Sequence, residues 1–392
     1  MDFQHRYYKI NKALLTYIGL WPYQTTRARR SILGTTLFVS IGQLASTAMA
    51  TVKYRADPKI LMEGVSIVIF GIASVRYVQM LKLLNRIRTD WDVWSQDREV
   101  KILHRYAGRG RMMTIAYAVA MYSNGIIYMT EPVIPKIIDV FLRNGSEPGE
   151  FPIPVYCYHF DQQKYYFYII MYSNVVGCMA TLVAVATDTM FIVFVQHGCA
   201  IFAALGHKLE RIGENKISAE TGEKAYALNQ WDMDYEYLVS CIGRHNAAIE
   251  YAKLIEATYT WYFLSIVGLN MLIISVTGLQ SDNDLHETIK FLVWLMADLV
   301  HLYIVSYMSQ ILFDHSNRNW SDKFVFPLML MRCNVPCELT AGKIAILSVT
   351  RFRAVRTVVL SFLQLTLHRN IPMLADYCHR TKFHQLFLHS SF

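Results

Sequence analysis

Three ionisable side chains, Arg76, Asp188 and Asp298, stand inside or at the edge of apolar stretches long enough to cross a membrane. An ionisable group at that depth is costly and marks a functional site by default, although packing offers each a plainer role. Arg76 has Lys82 a few residues on and can snorkel to an interface, and Asp298 has His301 one turn away and can pair with it. Around them, aromatic, methionine and small residues recur at helical spacing: Phe70, Ser74 and Tyr77; Met121, Tyr122, Gly125, Tyr128 and Met129; Met171, Val175, Cys178 and Met179; His301, Tyr303 and Tyr307. At about 100° per residue, 122–125–129 and 171–175–178 each form one stripe. Such stripes pack helices together. They also make an adaptable apolar wall with a few hydroxyl handles, which suits loosely specific apolar ligands.

The constellations that perform covalent chemistry are missing. There is no His-Glu-x-x-His, no P-loop and no Gly-x-Ser-x-Gly, and Gly108-Arg109-Gly110 lacks the third glycine and the preceding strand of a dinucleotide turn. Cys333 and Cys337 are four apart with no second ligand pair near them, and both read as inert. The chain is therefore expected to be neither an enzyme nor a carrier of metal or cofactor.

The elements that must position these residues are helices in lipid. Of 392 residues, 54% are hydrophobic and only 17% charged, where soluble domains carry about a quarter charged. Seven cysteines are too few and too odd a number for a disulfide framework. Ser31–Val52, Met112–Thr130, Tyr165–Thr187 and Ala257–Ser281 are free of Asp, Glu, Lys and Arg, and each approaches or exceeds the roughly 20 residues a span requires. With three interrupted stretches added, the expectation is an all-α membrane protein of seven helices, at 31–53, 60–84, 112–134, 164–205, 256–281, 288–312 and 346–368. None of the ten prolines falls in the apolar stretches themselves, of which Met112–Thr130 ends two residues before Pro132. The fourth is longer than a bilayer needs and can project into the cytosol as a stalk. Met1–Arg30 holds no apolar core of a signal peptide, so the first span acts as the insertion signal.

Charge sets the orientation. Segments 1–31, 82–111, 206–256 and 313–345 hold 24 Lys and Arg residues, against 7 in 53–59, 132–164 and 280–290. Cytoplasmic loops carry that excess, so residues 1–30 are placed in the cytosol and the C-terminus outside. The net charge of +8 reflects this bias and not nucleic-acid binding. The orientation is the reverse of a G-protein-coupled receptor, and the Asp-Arg-Tyr and Asn-Pro-x-x-Tyr signatures of that class are absent.

Several short motifs resemble the insect odorant receptors, with a texture closest to the ant and wasp expansions. Asp188-Thr189, Gln196-His197-Gly198-Cys199 and Gly206-His207-Lys208-Leu209-Glu210-Arg211 look like that family's exit from span four, and Asp314-His315-Ser316 like a motif after span six. The most specific is Pro336-Cys337-Glu338-Leu339-Thr340-Ala341-Gly342-Lys343-Ile344, similar to the segment that leads into the last helix. The resemblance covers roughly 5–368.

It implies an odorant or pheromone receptor that serves as the ligand-binding subunit of a ligand-gated, non-selective cation channel. Such a subunit forms a heterotetramer with an obligate co-receptor (Orco) in the olfactory-neuron dendrite membrane. The family architecture makes 313–345 part of a cytosolic anchor built with the inner ends of helices four to seven, and 346–368 the pore-lining helix. Its odorant pocket implies a ligand role for Tyr77, Tyr122, Gly125, Tyr128, Met129, Met171, Val175, His301 and Tyr303, holding a small volatile or hydrocarbon. Alignment of the last helix puts Leu365 at an apolar gate and His368 at a polar ring, with Thr357 or Val358 and Ser361 on the same face. A ring of apolar side chains stops ions by dewetting. Arg351, Arg353 and Arg356, a loop at 313–327 about ten residues short, and a tail at 369–392 depart from the family pattern. A tastant-gated relative of similar architecture and a G-protein-coupled seven-helix receptor are the alternative readings.

The orientation has a direct test. Of two glycosylation sequons, Asn144-Gly145-Ser146 falls outside and Asn319-Trp320-Ser321 inside. Glycosidase mobility shifts on Asn144→Gln and Asn319→Gln proteins should locate sugar on Asn144 alone; sugar on Asn319 alone inverts the topology.

Overall fold

The computed structural model describes residues 7–53, 77–94, 97–130, 165–219, 227–279, 285–317 and 337–361. Its helices are α1 (Lys9–Tyr17), α2 (Thr26–Lys53), α3 (Tyr77–Val93), α4 (Asp97–Thr130), α5 (Tyr166–Ala219), α6 (Ala227–Leu279) and α7 (Leu285–Ser316). A hairpin of β1 (Thr340–Ala341) and β2 (Ala345–Ile346) follows, and then a helical segment, α8, over 349–361. All ten prolines lie outside these helices, as expected where a missing N–H would break the ladder. Arg76, Asn144, Asn319, Cys333, Leu365, His368 and the tail at 369–392 fall outside the described residues.

The helices outrun their apolar cores. α4 starts well before residue 112, α6 well before 256, and the 54 residues of α5 span about 80 Å at 1.5 Å per residue, far beyond a hydrocarbon layer of about 30 Å. Hydropathy reports the solvent around a helix, whereas hydrogen bonding lets the helix continue into water. Among the described residues, Tyr168–Leu209 and Leu295–Ser316 are long and apolar enough by themselves to cross a membrane.

α5 is the axis of the bundle. From Asp188 to Phe202 every side chain is buried, the pattern of a helix enclosed on all sides. Its neighbours are α1, α2, α4, α6 and α7. Phe191 is edge-on to Phe263 at 4.9 Å and lies 5.0 Å from Tyr259, which stacks on Phe263 at 5.6 Å; such pairs contribute about 1 kcal/mol each beyond burial. Towards its N-terminal end α5 loosens: Tyr168, Met171, Val175 and Cys178 are exposed.

The segments that carried the family resemblance are packing devices. A Cβ on Gly198 would lie 3.1 Å from Leu312 Cδ1 and 3.5 Å from Tyr251 Cε1, so α6 and α7 close on α5 there. The adjacent His197 Nε2 lies 3.1 Å from the buried Asp90 carboxylate of α3, which Arg86 also approaches at 3.3 Å. His315 Nδ1 lies 2.8 Å from Ile311 O, so that nitrogen carries the proton and donates it. Nε2 then accepts from the Tyr106 hydroxyl at 2.7 Å, tying α7 to α4. At the N-terminal end, Gly19 adopts φ +73 to end α1. Tyr8 accepts from the Trp91 indole at 3.2 Å, and burial pushes its phenol up to about 12.

The Thr-Ala-Gly-Lys hairpin docks on α6. Gly342 and Lys343 both have positive φ, +62 and +61, the left-handed pair of a type I′ turn, and Ile344 N closes it on Ala341 O at 3.1 Å. Gly342 N donates to Thr260 O at 2.8 Å, while Thr340 Oγ1 donates to Glu256 Oε1 at 2.8 Å. A side chain at Gly342 would run into Leu264, whose Cβ would lie 3.1 Å away. Gly342→Val should therefore destabilise the protein by about 1–3 kcal/mol, from left-handed backbone strain and the clash together. The check is a lower Tm of the purified protein, with Lys343→Gly unchanged or slightly raised as the control.

Candidate functional site

Asp188 is 1% exposed and sits at the point where α5 passes from its loosely packed half into its enclosed half. Three helices supply its partners. Tyr117 of α4 donates its hydroxyl to Oδ2 at 2.5 Å, Tyr262 of α6 donates to Oδ1 at 2.9 Å, and His301 Nδ1 of α7 lies 3.0 Å from Oδ2. The Tyr117 hydroxyl is also 3.0 Å from His301 Nδ1. Moving a bare carboxylate out of water costs several kcal/mol even after relaxation, and hydrogen bonds to a charged group return about 1.5–3 kcal/mol each. With three donors the group is held, so the four helices meet at one polar knot.

His301 therefore has Asp188, not Asp298, as the carboxylate across from its ring. The sequence reading took the nearest acid along the same helix; the ring instead reaches across the interface to α5. Tyr117 and Tyr262 were missed there as candidates. The signal available was depth: each stands five or six residues inside the cytosolic edge of its apolar run, the level at which Asp188 has to be satisfied.

The residues proposed for ligand contact divide into groups. A Cβ on Gly125 would lie 3.6 Å from Thr181 Oγ1, and Met129 Sδ is 3.6 Å from Cys178 Sγ, which places both on the α4–α5 seam. Tyr122 packs at the edge of the core beside them. Met171 and Val175, at 66% and 51% exposure, stand on open faces of α5. His301 and Tyr303 are two residues apart, about 200° around a helix, and they part company. His301 turns into the knot, while Tyr303 stacks on Tyr307 at 5.8 Å and meets Phe352 of α8 edge-on at 5.4 Å. Tyr77 begins α3, and Tyr128 belongs to the last turn of α4.

Among the described residues α8 packs on one side only. Phe352, Val355 and Val359 lie against Leu295, Leu299 and Tyr303 of α7, and Ser348 Oγ caps its first turn from Arg351 N at 3.3 Å. Thr350, Ala354, Thr357 and Ser361 fall on the opposite side, exposed and small. Val358 and the three arginines, Arg351, Arg353 and Arg356, are exposed on the flanks. Among the described residues no group of three or more His, Cys, Asp or Glu could hold a metal ion.

The knot generates a graded expectation. Asp188→Ala leaves two tyrosine hydroxyls and an imidazole without their acceptor and should cost about 3–5 kcal/mol, whereas Asp188→Asn keeps one acceptor and the volume and should cost less. Thermal unfolding in detergent should rank wild type above Asn above Ala; equal midpoints for all three would remove the knot from the stability of the bundle.

The fold and the sequence both have known counterparts. The model of the 7tm Odorant receptor family matches residues 65–318, well over half of the chain. Odorant receptor 13a of Drosophila melanogaster is 20% identical over 398 aligned positions, covering 88% of this chain and 92% of the relative. The insect olfactory receptor OR5 of Machilis hrabei, solved in complex with eugenol, superposes with a TM-score of 0.68 at 12% identity, over 92% of this chain and 97% of that one. A second structure of that receptor gives 0.66, over 93% and 99%. At such low identity the structures speak for the fold: a mostly helical membrane protein of seven transmembrane helices. The protein belongs to the seven-transmembrane odorant receptor family of insects.

Proposed function

We propose that this odorant receptor is the ligand-binding subunit of a heteromeric, ligand-gated, non-selective cation channel assembled with the co-receptor Orco in the plasma membrane of an olfactory neuron. The carrying observation is the one-sided packing of α8. A helix that buries Phe352, Val355 and Val359 against α7 and leaves Thr350, Ala354, Thr357 and Ser361 open suits the wall of a shared aqueous path. Continued at about 100° per residue, the open side runs through Ser361 to Leu365 and His368, the assigned gate and outer ring, with Val358 at its border. Arg356 lies about 180° from Leu365, away from the path.

The ligand site of this reading is the loosened outer half of the bundle. Tyr122, Gly125, Tyr128 and Met129 of α4, Met171 and Val175 of α5, Tyr77 of α3 and Tyr303 of α7 supply its walls, and His301 closes its floor through the knot. Tyr303 links this region to the channel wall, because its ring touches Phe352 of α8 at 5.4 Å between centroids. A ligand that shifts Tyr303 shifts the helix beside it. Aromatic rings, two methionines and a valine, with tyrosine hydroxyls as the polar handles, favour a small apolar volatile or a hydrocarbon.

Current recorded from cells expressing the chain with and without Orco, across an odorant panel, tests this. An odorant-evoked cation current that needs both subunits is expected. Tyr122→Ala, Tyr128→Ala and Tyr303→Ala should each lower sensitivity to the active odorant about tenfold, the effect of losing roughly 1.4 kcal/mol of contact. Absence of current with Orco against every odorant overturns the channel reading, and unchanged sensitivity in all three variants overturns the pocket.

A further inference from the structure

One face of α4 is left open along its whole length. Arg98, Lys101, Arg105, Arg109, Met112, Ala116, Val119, Ser123, Ile126 and Thr130 are all exposed, and their spacing of three and four residues is a single helical side. α4 packs on α5 and α7 with its other faces. The open face changes character once: four basic residues come first, and then the side chains are apolar or small, with Met112 67%, Val119 62% and Ile126 61% exposed. No Asp or Glu lies on it. Among the described residues none of the four basic side chains forms an ion pair, and only Arg109 has a partner, the Tyr106 ring at 5.1 Å.

The lengths fix the level of the bilayer. Met112 to Thr130 rises about 27 Å, close to the hydrocarbon thickness of about 30 Å. Arg109 then lies within one turn of the hydrocarbon edge, and Arg98 about 16 Å further along the axis than Arg109. α2 shows the same change on its exposed side, from Arg27 and Arg30 to Phe38 and Ile41. A basic stripe this deep extends past the plane of the lipid glycerol phosphates, beyond the reach of a headgroup with one charge at that plane. A headgroup that carries further phosphates away from the membrane matches it. Basic residues near an anionic surface are drawn to it, and arginine suits phosphate through its forked donors.

We propose that the stripe Arg98–Lys101–Arg105–Arg109 binds a multiply phosphorylated inositol phospholipid of the cytosolic leaflet. The proposal rests on the cytosolic placement of the start of α4 and is independent of odorant gating. The test uses the full-length protein purified in detergent and short-chain phosphatylinositol bisphosphate as the probe, read as the change in Tm, since a ligand that binds the folded state raises it. Wild type should gain several degrees at saturating probe, and short-chain phosphatidylserine at the same concentration should give a smaller rise. Arg105→Gln with Arg109→Gln should abolish the gain, and Lys101→Gln with Arg105→Gln serves as a second pair if the first does not fold. Lys253→Glu, an equal change in net charge at an exposed site on α6, should retain it.

No gain in wild type, or an equal gain in wild type and both stripe variants, overturns the site. An equal gain from phosphatidylserine overturns the preference for the inositol lipid. Because the readout involves neither orientation nor current, its failure leaves the channel reading standing.

Discussion

A carboxylate placed where water cannot reach it is the constraint around which this bundle is organised. Asp188 stands in the helix against which α1, α2, α4, α6 and α7 pack, and its two oxygens take hydrogen bonds from Tyr117, Tyr262 and His301 on three separate helices. Satisfying one buried charge therefore fixes the axial register of α4, α6 and α7 against α5. Apolar contacts alone would tolerate sliding by a turn, because one methionine or leucine replaces another at little cost; a hydrogen bond of 2.5–3.0 Å does not.

The two halves of α5 behave differently because of what surrounds them. On the inner side, ties from Asp90 to His197, from Tyr106 to His315 and from the hairpin to Thr260 and Glu256 repeat the logic of the knot. Each joins a polar atom of one helix to a specific partner on another, and the segment between Asp188 and Phe202 is buried throughout. Among the described residues beyond the knot such ties are fewer: Tyr172 reaches Val39 O at 3.1 Å and Asn124 reaches Val293 O at 2.9 Å, while Met171 and Val175 stay exposed. On the proposed reading, a densely tied inner half and a more open outer half let a ligand enter at one end without unravelling the end that holds the subunit together.

The short family motifs gain a physical meaning in this frame. Gly342 is needed because its backbone is left-handed and Leu264 fills the space a side chain would take. Gly198 admits two helices at once. His315 acts as a two-sided connector, its protonated nitrogen turned to its own helix and the other to Tyr106.

Hydropathy and charge in the sequence determined the class: long runs without ionised groups require helices in lipid, and the Lys and Arg asymmetry requires an orientation, since both are sums over many residues that no single contact can reverse. Helix ends were poorly legible, because α4 and α6 continue into water where apolar periodicity stops, held by backbone hydrogen bonds that leave no mark in composition. Site geometry was legible only by face. The stripe at Gly125 and Met129 does meet α5, yet His301 and Tyr303, grouped together by type, point about 200° apart. The choice of Asp188 over Asp298 as partner of His301 belongs to tertiary structure alone. One acid is near in sequence and the other in space, and a buried imidazole responds to distance across the interface.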